Sequence, residues 1–227
     1  MYLPAHFSRT DIDAIRSLIR EAPLATLVTL SVAAIEADHV RLIAQERDGV
    51  LVLRGHVARA NPLWHATDAG SEVLAIFHGP DAYVSPSLYA TKAEHGKVVP
   101  TWNYAVAHLY GTLQVFDDPA WLHAFLPELT GTHEANRPKP WQVSDAPDDY
   151  VDRMVAAIVG IEIRVSRVIG KWKVSQNQPA ANRRSVAAGL QGSDRRGAQA
   201  MARLVAGDDG AGREPRAPAE DPPGGKG

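Results

Sequence analysis

Short runs of β-type sequence recur along most of the chain with only a few helical periods among them, and this pattern constrains the fold more than any other feature. Strand-type runs read at 25–31, 34–44 and 49–54, then at 72–78, 82–86, 98–104 and 107–116. A last run covers 160–168, with a continuation at 171–175 after Gly170. A helix capped by Ser8 or Thr10 runs to about Glu21, with Ile12, Ile15, Leu18 and Ile19 on one face, and Pro23 stops it. Asn61-Pro62 opens a short helix over 63–69, and Pro119 opens another through 129. A further helix follows over 148–158, behind Ser144, Asp145 and Pro147. Strands and helices do not alternate as βαβ units, so the expectation is an antiparallel barrel with its helices outside.

From about residue 192 glycine, proline, alanine and paired charges dominate. The expected organisation is one domain over 1–190 and a mostly disordered tail over 191–227, with one short helix around 198–205.

Bulk properties narrow the functional classes. At 227 residues the chain can bury a substantial core, and 45% apolar with 22% charged residues is ordinary for a globular protein. The formal charge of −2 offers no broad basic surface for nucleic acid. With no cysteine, disulfides, thiolate metal sites and cysteine nucleophiles are excluded, and the nine histidines become the natural metal or haem ligands. The first residues lack a basic segment leading into an apolar run, and no stretch reaches membrane-spanning length, so a cytoplasmic protein is expected. No G-x-G-x-x-G follows a strand, and the P-loop, H-E-x-x-H and G-x-S-x-G patterns are absent.

Polar chemistry gathers in four places. Gly55 to His65 joins a strand end to a helix start, where free backbone N–H groups and the Arg59 fork suit a phosphate or carboxylate. Phe77 to Pro86 is the second cluster, with His78 and Asp81. The third is Pro100 to Tyr104, leading to His108; Trp102 and Tyr104 offer ring faces, and Asn103 a directional hydrogen bond. The last, Gly170 to Asn177, is a strand end dense in donors.

Read together, the segments MYLPAHF (1–7), GHVARANPLW (55–64), IFHGPDAYVSPS (76–87), VVPTWNYAVAHLYG (98–111) and VGIEIRVSRVIGKWKVSQN (159–177) resemble the PaiB family of FMN-binding negative transcriptional regulators. The resemblance reaches to about Leu190. It implies a mainly β (α+β) fold, an antiparallel Greek-key split β-barrel with peripheral helices, assembled as a homodimer with the cofactor near the interface. It places Arg59, Asn61, Trp102, Asn103, Ser175 and Gln176 around that cofactor.

The sequence also departs from the family pattern. The usual A-T-H-L-P-L reads Ala37-Asp38-His39-Val40-Arg41-Leu42, the usual F-Q-G-P-H reads Phe77-His78-Gly79-Pro80-Asp81, and His65 stands where arginine is common. These changes add charge and imidazole, and they point to a similar branch, the piperazate synthases, which bind haem b and close N-hydroxy-L-ornithine to L-piperazate by forming an N–N bond. In that reading His65 is the axial ligand, with His78 second and His56 and His39 behind. Asp38 and Arg41 hold the ends of a small amino-acid substrate, and His39 or His108 is the base. The alternative is an FMN-binding regulator that contacts DNA, or a flavin reductase-like oxidoreductase.

Overall fold

A computed structural model describes residues 1–30, 34–66 and 71–207. The chain begins with a two-residue strand, β1 (Ser8–Arg9), and helix α1 (Ile12–Glu21). Ser8 is drawn into β1 against the last strand, so neither Ser8 nor Thr10 caps the helix. Asp11 does so, its carboxylate accepting from the N–H groups of Asp13 and Ala14. Ala14, Ile15, Leu18 and Ile19 form the buried face, and Ile12 stays at the surface.

The remaining strands are β2 (Leu24–Leu30), β3 (Ile35–Arg41), β4 (Ile43–Arg47), β5 (Val50–Ala58), β6 (Glu72–Val84), β7 (Thr101–Phe116) and β8 (Ile158–Lys173). They form one antiparallel sheet in the order β3-β2-β6-β7-β8-β5-β4, with β1 added to β8. Three segments expected to be pairs of short strands are single long ones. Gly79-Pro80 does not end β6 but forms a bulge, with the register shifting between His78 and Asp81. β7 runs unbroken through Ala105 and Val106, and β8 through Gly170.

The expected Greek-key split β-barrel does not form: the sheet is open, with β3 and β4 as its two edges. Every ladder partner of β3 lies on β2, and every partner of β4 on β5. Closure would require these edges to pair. β3 instead carries Glu36, Asp38, His39 and Arg41 and is exposed over most of its length, the charged character that keeps an edge unpaired.

Helices cover this sheet. Phe77, Leu27, Leu53, Leu109, Ile161 and Ile163 form its main core together with α1. Full burial of each such side chain contributes about 1.5–3 kcal/mol. Helix α2 (Leu63–Ala66) follows β5, and α3 (Lys92–His95) precedes β7. Helix α4 (Pro119–Glu134) extends past the expected end at 129, with Pro127 inside it, and seats Phe125 and Leu129 on Ile43. The Trp121 ring of α4 lies against Gly160 on β8, where a Cβ would stand 2.3 Å from it. Helix α5 (Asp148–Ala156) leads into β8.

Past β8 the chain forms α6 (Ala180–Gln191), which the sequence pattern does not announce, and α7 (Ala198–Ala206), close to the short helix expected there. Val186, Leu190, Met201 and Val205 of this pair bury Val84 and Tyr89 in a second core. The tail expected to be mostly disordered over 191–227 lies, from residue 208, outside the described residues. Among the described residues no helix is long and apolar enough to cross a membrane.

Candidate functional site

The predicted cofactor residues fall into two groups at opposite ends of the long central strands. Arg59 and Asn61 lie just beyond β5, beside the end of β7 and the start of β8. Trp102 and Asn103 open β7, and Ser175 and Gln176 follow β8. At roughly 3.3 Å per residue, Asn103 and Phe116 are about 40 Å apart along β7. Within one chain the two groups do not meet.

At the first end the polar groups are already partnered. Arg59 forms a two-pronged pair with Asp117, at 3.0 Å to Oδ2 and 2.6 Å to Oδ1, and its Nε donates to the Ala156 carbonyl at 2.7 Å. These hydrogen bonds from Arg59 hold the Asp117 carboxyl below its ordinary value. Asn61 starts α2 by accepting from the Leu63 N–H at 2.8 Å and donates to Asp38 Oδ1 at 2.6 Å. Trp64 donates its indole N–H to the Arg59 carbonyl, and His65 is exposed with its ring centroid 3.4 Å from that of Trp64.

Along β3, Asp38 is half-buried, whereas His39 and Arg41 are exposed. Asp38 and Arg41 are three residues apart on a strand and so project to opposite faces. Nearby, burial first and the Arg41 charge second hold His56 below its ordinary value near 6.5. His56 Nδ1 is buried with no hydrogen-bond partner among the described residues. His78 is exposed at the β6 bulge, and His108 is half-buried on β7. The His108 pKa is lowered by burial, then by the N-terminal ammonium and His78. No group of three or more His, Asp or Glu side chains among the described residues is arranged to hold a metal ion.

The other end of β7 borders a cavity of about 440 Å³. Asn103, 1% exposed, donates from Nδ2 to Ser175 Oγ at 2.8 Å, while its Oδ1 is buried without a partner among the described residues. Ser175 is 3% exposed and has a φ of 64°, left-handed backbone that a serine rarely adopts. Gln176 closes this turn by accepting from the Val174 N–H at 2.8 Å and donating to the Trp172 carbonyl. Lys173 donates to Thr101 Oγ1 and to the Trp102 carbonyl.

Tyr89 and Asn182 also line the cavity. Burial pushes the Tyr89 phenol above its ordinary value, so it remains a neutral hydroxyl. Asn182 is fixed by accepting from the Thr91 N–H and donating to Thr91 Oγ1 and Gln178 Oε1. Tyr89 and Asn182 were not expected here, because α6, which carries Asn182, has no clear signal in the sequence.

Comparison with known proteins gives a consistent family. Residues 1–167 match the family described as "Putative FMN-binding domain". An uncharacterized protein of Emericella nidulans is 34% identical over 241 residues, covering 90% of this chain and 96% of that protein. The protease synthase and sporulation protein PAI 2 of Bacillus subtilis is 30% identical over 205 residues, covering 90% and 96%. Among solved structures, the FAD and heme binding protein from Mycobacterium smegmatis superposes with a TM-score of 0.55 at 18% identity, over 80% of each chain, which shows a shared fold.

Proposed function

The chain belongs to this family of FMN-binding domains, and from that premise we propose that it binds FMN in the cavity at the Asn103 end of β7 and acts as a small flavin-dependent oxidoreductase. The observation that carries this reading is the unpartnered carbonyl oxygen of Asn103, which Ser175 holds in place from the amide's other side. A buried acceptor without a donor is costly, by about 1–3 kcal/mol, unless a ligand supplies the missing N–H. The imide N–H of a flavin ring is such a donor. Lys173 and Lys97 bring positive charge to the same cavity for the phosphate, and the neutral Tyr89 hydroxyl is available as a further donor. When bound, FMN supplies reversible electron and hydride transfer; the chain's residues orient it and set its electrostatic surroundings.

Arg59 has no part in holding the phosphate in this reading, because its fork is committed to Asp117. The homodimer implied by the resemblance is the arrangement in which both residue groups could border one flavin, one group from each chain. A DNA-binding regulator draws no electrostatic support from a formal charge of −2. Haem b with His65 or His78 as ligand, serving N–N bond formation, has no comparable observation behind it. Both imidazoles are exposed, and Asp38 and Arg41 do not face one another across a shared pocket.

The test is an absorbance spectrum of the purified protein followed by titration with FMN. Flavin bands and saturable quenching of FMN fluorescence are expected, with Asn103→Ala weakening affinity about tenfold or more. A Soret band in haem-supplemented protein that takes up no FMN would overturn the reading.

A further inference from the structure

A second cavity, of about 390 Å³, lies beside Trp102 and the turn between α6 and α7. Its lining includes two aromatic and two basic residues: Tyr83 and Trp102 from β6 and β7, Arg195 and Arg196 from the turn. Tyr83 and Trp102 are paired directly across the ladder, with ring centroids 6.0 Å apart and planes inclined at 54°. They are 39% and 51% exposed, so both rings keep free surface. Asp81 also lines the cavity, but its carboxylate accepts the Trp102 indole N–H at 2.9 Å, which fixes that ring's orientation.

The turn is held against the sheet at Gly197, whose φ of 81° and close approach to the Asp81 carbonyl admit only glycine without strain. Arg195 and Arg196, directly before Gly197, line the same cavity as the two rings. Neither arginine forms an ion pair among the described residues. A planar fork without an acid suits a phosphate, and a free indole face suits a heteroaromatic base.

We propose that this cavity binds a nucleoside phosphate, its base against Trp102 and Tyr83 and its phosphate on Arg195 and Arg196. The volume lies in the range of small-molecule sites. The chain's formal charge of −2 favours a mononucleotide over a nucleic-acid strand. The site is distinct from the Asn103 cavity and does not depend on the flavin reading.

The test titrates AMP, adenosine, orthophosphate and a short oligothymidylate into the full chain, with and without saturating FMN. Calorimetry and tryptophan fluorescence are the readouts. One AMP per chain is expected under both conditions, with adenosine and orthophosphate each weaker by about tenfold or more. Arg195→Ala/Arg196→Ala should weaken AMP to the level of adenosine without lowering the melting temperature, and Trp102→Phe should abolish the fluorescence change. Any of these results would overturn the proposal: no AMP binding at millimolar concentration, orthophosphate binding as well as AMP, the double variant binding AMP normally, or the oligonucleotide outcompeting AMP with a steep salt dependence. Competitive displacement of AMP by FMN would also overturn it, by making this cavity the flavin's own, whereas a failure of FMN to bind anywhere would leave the AMP result standing.

Discussion

Asn103 donates to the Ser175 hydroxyl at 2.8 Å, tying the start of β7 to the turn after β8, while its own carbonyl oxygen stays buried and unpartnered. Ser175 holds this position with left-handed backbone, φ 64°. Strain and an unsatisfied acceptor thus meet in two residues that touch, and each costs stability where it stands.

The two contributions separate by substitution. Ser175→Ala keeps the strained backbone and leaves the Asn103 amide without its acceptor, so it should destabilise the fold by about 1–3 kcal/mol. Ser175→Gly loses the same hydrogen bond but relieves the backbone, and should be about 1 kcal/mol more stable than the alanine variant. Urea denaturation of the pair decides the point, and an alanine variant as stable as the glycine one would refute it.

Arg54 is 4% exposed, lies 4.6 and 4.7 Å from the ring centroids of Trp121 and Phe125, and pairs with Glu128 and Glu162. Arg54→Ala strips the buried Glu162 of its nearest cation, although Arg47 remains 3.7 Å away. A loss of about 3 kcal/mol is expected, the lower end for breaking a buried pair. Adding Glu162→Gln should recover part of it, as read from denaturation midpoints of the single and double variants.

Gly160→Ala tests how tightly α4 is seated. The new methyl group would meet Trp121, which is stacked on Phe116 with ring centroids 4.7 Å apart and has little freedom to retreat. Overpacking of this kind costs about 1–3 kcal/mol. Thermal denaturation monitored by tryptophan emission should show it; an unchanged midpoint would mean that α4 moves freely over the sheet.

His56, His108 and His133 all have pKa values lowered by burial, with Arg41 adding to the effect at His56 and His133. The unfolded chain therefore binds protons near pH 6.5 that the fold refuses. Stability should be constant with respect to these groups above about pH 7 and fall as pH drops through 6.5 toward the folded values. His56→Gln should flatten the slope of stability against pH between 7 and 5, and an unaltered slope would contradict the assignment.

The sequence shows where strands and most helices lie more clearly than how they join. Glycine and proline at 79–80 read as a strand break, yet a bulge keeps β6 continuous, because pairing with β7 resumes at Asp81. The barrel expectation failed at β3 and β4, whose edge positions follow from pairing over long sequence separations. Helix α6 went unread since its pattern is weakly amphipathic, and its burial depends on partners brought in by α7 and β6. At the candidate site Asn103 and Ser175 stand out in the sequence and do come together. The commitment of Arg59 to Asp117 is invisible there, since it joins residues fifty-eight positions apart.

The length of β7 fixes how changes at its two ends can combine. With about 40 Å of strand between them, substitutions near Arg59 and near Asn103 share no side-chain partner, so within a single chain their free energies should simply add. A double-mutant cycle across those positions thus becomes a probe of contact between the two ends of neighbouring chains. Zero coupling means that the two ends do not meet even between chains, whereas a measurable coupling requires that one chain's Arg59 end touches another chain's Asn103 end.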